Sequence, residues 1–286
     1  FKEANHSQRL IKSERLDPRK ISLYFSAPAD TLPTLKGLNF NEHDAFVIEQ
    51  TTGRNDTIHY WLKDSLLYRQ DTLKLSLRYL YTDSLQKLTP RNDTLNLVAK
   101  NKLKIDKDLA KEKKKKSKDK ADKEVQFLPV EVYTPGSMDV YDYISMTFTE
   151  PIKSYSKDSI HLRQRVDSLW QDVSFDISRD SLDLKRYNLY ADWKPGESYE
   201  FSVDSTNFKG IYGLFTDKIK KEFKVKKLEE YGQIFFNITN VSNPAFVELL
   251  DAQDKVIRTV PVVGGKADFY FLNPGKYGAR LVEDRN

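Results

Sequence analysis

Apolar and polar residues alternate along most of this chain in short runs, and a period of two is the mark of strands with one buried face and one wet face. Ile21, Leu23 and Phe25 form one such run, and Ile144, Met146 and Phe148 form another. The same rule is followed by Leu73, Leu75 and Leu77, by Tyr199, Phe201 and Val203, by Ala267, Phe269 and Phe271, and by Tyr277, Ala279 and Leu281. Turn chemistry separates the runs, as at Pro195-Gly196, Gly264-Gly265 and Asn273-Pro274-Gly275. Outside one Lys-rich segment no long stretch has helical periodicity. The pattern predicts an all-β chain.

Laying the two halves together brings out an internal repeat. Ile21 to Pro28 and Ile144 to Pro151 share three inward apolar residues, hydroxyl residues between them, and a Pro that ends the strand. Each copy later reaches a Trp near a Tyr (Tyr60-Trp61; Tyr190 to Trp193) and closes on an apolar-polar strand followed by lysines (Leu95 to Lys102; Phe223 to Lys227). Two β-sandwiches of one family are the economical reading. After Lys227 the character changes. Gly232 opens a strand, the stretch from Val247 to Ile257 reads as a hairpin turning at Asp251 to Asp254, and two more strands follow, which makes about five strands of a smaller third module.

A length of 286 residues suits two or three such modules. The expected boundaries are 1–103 and 125–228 for the two sandwiches, 104–124 for a Lys-rich linker or solvated helix, and 229–286 for the last module.

The second and third modules resemble a known family. Val132 to Ser137, the Ile144 to Pro151 strand, Asp192-Trp193-Lys194-Pro195-Gly196 through Tyr199, and Asp204-Ser205 through Gly213 resemble the bacterial Ig-like domain of the SbsA type. The form they are most similar to is carried by predicted outer-membrane lipoproteins of Bacteroidetes. Phe271 to Tyr277 and Arg280 to Asp284 are similar to the prealbumin-like modules that follow such domains. The resemblance covers about residues 125–286 and is weaker over 1–103. It implies two tandem Ig-like sandwiches followed by an incomplete prealbumin-like sandwich. It also implies a lipid-anchored, extracytoplasmic protein of the outer membrane, cell surface or periplasm of a Gram-negative bacterium, with no known catalysis.

Charge changes this picture little. The formal balance is +5, but Lys100 to Glu124 hold twelve Lys against six acids, so the remainder of the chain sums to −1. The basic character belongs to one segment, and no aromatic residue interleaves with its lysines to stack bases, so nucleic acid is not an expected partner. The absence of Cys excludes disulfides and thiolate sites from these residues. No apolar run approaches the ~20 residues that span a bilayer, and Phe1 in place of Met reads as a processed or trimmed start. Membrane association is expected only through a lipid anchor beyond these residues.

Candidate chemistry is sparse. His6, His43, His59 and His161 lack metal-ligand spacing, no Gly-x-Ser-x-Gly turn marks a nucleophile, and acid pairs are too common among 42 carboxylates to mean anything by themselves. No catalytic residue, cofactor or metal is expected.

Two patterns remain. Asp-Ser/Thr-Leu/Ile recurs and offers Thr31, Thr57, Ser65, Thr72, Ser84, Thr94, Ser159, Ser168 and Ser181 as candidate glycan acceptors. Such triplets also suit turn-to-strand junctions, with Asp ending the turn and the aliphatic residue turning inward. The triplet resembles the O-glycan acceptor pattern of Bacteroidetes envelope proteins. Trp61, Trp170 and Trp193 are candidates for stacking on a sugar ring, provided that their faces meet solvent.

The expected function is a non-catalytic structural or interaction protein of the cell envelope, its partner an envelope protein or a glycan. The alternatives are a carbohydrate-binding module using exposed Trp and Tyr and, third, a hydrolase with an unrecognised carboxylate site.

Overall fold

The computed structural model describes residues 7–50, 54–100, 126–241 and 243–283. His6, the Lys-rich segment and Asp284 to Asn286 lie outside the described residues.

The chain is all-β. The first group of elements is β1 (Leu10–Glu14), β2 (Lys20–Phe25), β3 (Thr34–Gly37), β4 (Phe46–Gln50), β5 (Thr57–Leu62), α1 (Ser65–Tyr68), β6 (Thr72–Thr82) and β7 (Leu88–Val98). They form an antiparallel sheet β1-β2-β5-β4 and a second sheet β3-β6-β7. Ile21, Leu23 and Phe25 meet Leu73, Leu75 and Leu77 in one core, as the alternation requires. The only α-helix among the described residues is the single turn of α1, started by Asp64, whose side chain accepts the Leu66 N–H.

The second group is β8 (Val130–Tyr133), β9 (Ser137–Met138), β10 (Ile144–Phe148), β11 (Ile152–Ser154), β12 (Ile160–Val166), β13 (Leu169–Asp172), β14 (Asp176–Arg179), β15 (Arg186–Tyr190), β16 (Ser198–Val203), β17 (Lys209–Gly210) and β18 (Ile219–Val225). Sheet β14-β15-β10-β8 faces sheet β13-β12-β16-β18-β9 across a core that includes Met146, Phe148, Trp193, Phe201 and Phe208, and β11 pairs with β17 alone. The repeated strand thus occupies the same role twice, as β2 and as β10. Its two phenylalanines lie in separate cores.

The third group is β19 (Gly232–Asn237), β20 (Ala245–Leu250), β21 (Val256–Pro261), β22 (Lys266–Leu272) and β23 (Gly278–Glu283), paired as β19-β22 and β21-β20-β23. Its core centres on Val247, Leu249, Ala267, Phe269 and Leu272. The hairpin turn closes where Asp251 Oδ1 accepts the N–H groups of Gln253 and Lys255. Two runs depart from the expected burial: Ala279 and Leu281 are exposed although β23 pairs them with buried Leu249 and Val247, and the other run breaks at Phe271. Phe271 is exposed and has φ of 54°, so the run Ala267, Phe269, Phe271 breaks its period at the last member and Leu272 turns inward in its place.

Candidate functional site

The most constructed polar arrangements in the molecule lie where modules meet, and the sequence reading did not anticipate them. At the first junction, Glu49 on β4 is 3% exposed. Its Oε2 accepts the Trp61 Nε1–H at 2.7 Å, and its Oε1 accepts the backbone N–H of Leu184, in the second module, at 3.1 Å. Beside it, the Tyr212 hydroxyl donates to the Leu62 carbonyl at 2.8 Å. Arg19 lies over the Tyr212 ring at 4.9 Å and the Tyr68 ring at 5.7 Å, and the two rings meet edge to face at 5.4 Å. Glu150 completes the group. Its carboxylate accepts the Tyr212 N–H at 3.0 Å and stands 3.7 Å from Arg19. Burial pushes the Glu150 carboxyl up, against the pull of that N–H and of the guanidinium. Gly210 packs on this carboxylate so closely that a Cβ there would fall 1.9 Å from Oε1.

Arg15 supports the junction from inside the first module. Its buried guanidinium donates to the carbonyls of Pro18, Tyr68 and Gln70, which holds the turn carrying Tyr68, and burial lowers its pKa to about 10.

At the second junction Lys226 reaches Asp139 at 2.9 Å and donates to Asn273 Oδ1 at 2.7 Å, while Asn273 Nδ2 donates to the Tyr141 hydroxyl at 3.2 Å. The Tyr231 hydroxyl accepts the Val140 N–H at 3.1 Å, and Arg258 covers the Tyr141 ring. Burial works to raise the Asp139 carboxyl, but hydrogen bonds from Lys226, Asn273 and Tyr231 outweigh it and hold the pKa below the usual range.

The three tryptophans separate. Trp193 is buried in the second core and donates its indole N–H to the Asp142 carbonyl. Trp61 is also buried, but on the outward face of β5 against the first junction, with Lys20 over its ring at 5.3 Å. The two repeat tryptophans therefore do different work. Neither offers a ring face to solvent, so both fail the exposure that sugar stacking requires, and only Trp170, on β13, is partly exposed.

The Asp-Ser/Thr-aliphatic triplets divide into two kinds. Thr57, Thr72, Thr94 and Ser159 precede buried Ile58, Leu73, Leu95 and Ile160, as a strand-forming pattern requires. In contrast, Ser65, Ser84 and Ser168 precede Leu66, Leu85 and Leu169, which are 70%, 74% and 69% exposed, and Thr31 and Ser181 precede exposed Leu32 and Leu182. In the triplets of Ser65, Ser84 and Ser181 the Asp side chain accepts the N–H two residues on, closing an Asx turn with the hydroxyl residue at its tip. None of the nine hydroxyl residues is buried.

His43, His59 and His161 stand apart, and His161 pairs with Asp204 at 3.3 Å. Among the described residues no cluster of three or more His, Asp or Glu is arranged to hold a metal ion.

No protein-family description and no curated protein matches this chain. Among solved structures it is similar to a chimeric titin Z1Z2 functionalized with a KLER exogenous peptide from decorin, at 10% identity over 77% of this chain and 96% of that one, with a TM-score of 0.24. It is similar also to the major pilin subunit of Bacillus cereus, at 11% identity over 88% and 83%, TM-score 0.19. A third is the Bacillus anthracis TIE protein, at 11% identity over 100% of this chain and 54% of that one, TM-score 0.18. At these scores the likenesses carry no argument about partner or activity, and the fold rests on the sheets themselves.

Proposed function

We propose that this chain is a non-catalytic structural protein of the cell envelope, whose modules act as a spacer or scaffold of set geometry. The observation that carries the reading is the first junction. A buried carboxylate, Glu49, receives hydrogen bonds from both modules, and Tyr212 adds a second direct bond across the same contact. Groups buried this way are costly unless their partners stay in place, so they favour one relative orientation. The envelope location rests on the family resemblance of residues 125–286, including the lipid anchor it implies. Among the described residues no helix is long and apolar enough to cross a membrane.

The absence of Cys makes the test direct. Spin labels on K87C, Q171C and K255C, introduced in pairs at exposed positions, report module-to-module distances by pulsed electron spin resonance. A spacer gives a narrow distance distribution between the first and second modules. A broad one, as from a flexible tether, would overturn the reading.

A modification reading is favoured by the exposed leucines, for which packing supplies no use. Thr31, Ser65, Ser84, Ser168 and Ser181 are the acceptors we assign to glycans, and Thr57, Thr72, Thr94 and Ser159 the strand-forming class. Peptide mass mapping of protein from its native cell should find added hexose on the first class in preference to the second. Unmodified peptides throughout would remove the assignment.

A further inference from the structure

The outer face of sheet β14-β15-β10-β8 carries a trough whose origin lies in the strand pattern. Ser145 and Thr147 are the outward residues of the central strand β10, and both are short. Across the sheet, Ser145 is flanked in register by Tyr133 and Asn188, and Thr147 by Glu131 and Arg186. Short residues between long ones leave a depression of 390 Å³, within the roughly 300–1,000 Å³ usual for small-ligand sites. Tyr143 and Asp142 close one end, and the Tyr143 ring leans on Tyr190 at 5.2 Å. The first module shows how such a trough is filled. There the repeat places Tyr24 where the second copy has Thr147, and Tyr24 packs edge to face with His59 and reaches Glu14.

Exposed aromatic rings in the trough are out of place on an ordinary wet sheet face. Tyr133 is 60% exposed, and Tyr143 and Tyr190 also present rings to solvent.

We infer that this face of the second module is a binding site for a neutral saccharide chain. Exposed tyrosines suit the apolar faces of pyranose rings, while Ser145, Thr147 and Arg186 offer hydrogen bonds to ring hydroxyls. The charges lining the trough are Glu131, Asp142 and Arg186, a balance that gives a polyanion no attraction. A proline-rich peptide also favours aromatic grooves, but its missing N–H groups bring few donors to Glu131, Asp142, Ser145 and Thr147. The inference stands independently of the spacer reading, which concerns the junctions.

Isothermal titration of the full chain against linear neutral hexasaccharides of glucose (α- and β-linked), mannose, galactose and xylose tests it, with a proline-rich decapeptide as a further arm. At least one hexasaccharide should bind with Kd below about 1 mM. Tyr133→Ala, at the exposed rim, should weaken that binding by about tenfold, and Thr147→Tyr, which fills the trough as the first module does, should abolish it. Trp170→Ala, on the other sheet, should leave it unchanged. Failure of every hexasaccharide to bind overturns the inference, as does binding by the peptide alone or binding that Tyr133→Ala leaves intact.

Discussion

The two junctions of this chain join modules by different means. At the first, Glu49 and Glu150 are almost fully buried, and their partners are backbone N–H groups, an indole and a guanidinium held between tyrosine rings. At the second, the ion pair is nearer water, with 23% of the Lys226 side chain and 15% of the Asp139 side chain exposed. A buried carboxylate that loses its partners is destabilising, whereas an ion pair nearer solvent is screened more by salt and contributes less. The contrast assigns fixed geometry to the first junction and an adjustable one to the second.

The largest expected effect breaks the first junction. Glu49→Leu leaves the Trp61 Nε1–H and the Leu184 N–H without acceptors, at a cost of about 1–3 kcal/mol for each orphaned donor. Denaturant unfolding followed by Trp fluorescence should show the lost stability and a separation of the first two modules into independent transitions. A total loss below about 1 kcal/mol would show that the carboxylate is peripheral to the junction.

A second effect comes from acid. His59 faces outward from β5, its Nδ1 is buried without a hydrogen-bond partner, and burial, together with repulsion from Lys20 and Lys185, lowers its pKa to about 4. Asp183 and Glu14 oppose the shift, and the Tyr24 ring packs at its edge. The folded state therefore keeps His59 neutral where the unfolded chain, titrating near 6.5, takes up a proton. By linkage, the stability this neutral form supports is fully present above pH 6.5 and is lost as pH falls toward 4. Melting temperatures across that window should fall, and His59→Gln should flatten the fall. An unchanged slope in the variant would assign the acid sensitivity to other groups.

The strands were legible because a period of two leaves a mark that composition cannot hide, and Ile21, Leu23 and Phe25 are all buried as their alternation requires. The junctions were not legible, because they pair residues far apart in sequence, such as Glu49 with Leu184 and Leu62 with Tyr212. One signal was present. Where the first copy of the repeat has Ala27, the second has Glu150, and a charged residue replacing a buried Ala marks a place where something new is met. The same comparison, Tyr24 against Thr147, marks the trough. Trp61 and Trp193, matched by the repeat, differ in the same way: Trp193 lies in its sandwich core, whereas Trp61 packs outside its own, against the first junction.

The smallest effect sharpens the contrast from the other side. Lys226→Met removes the charge that ties Asp139 to Asn273 but keeps most of the side chain's apolar length, so packing is preserved. Asn273 and Tyr231 still donate to Asp139, so the carboxylate keeps two partners after the ammonium is gone. The expected cost is about 0.5–1.5 kcal/mol, the net contribution of one hydrogen bond. The informative readout is geometry. The Gln171-to-Lys255 label distance should broaden in Lys226→Met, and raising ionic strength to about 1 M, where screening acts within roughly 3 Å, should broaden it in the unaltered chain as well. The Lys87-to-Gln171 distance across the first junction should respond to neither change. Equal broadening of both distances by salt would show that the two junctions share one mechanism and that burial of Glu49 and Glu150 confers no special rigidity.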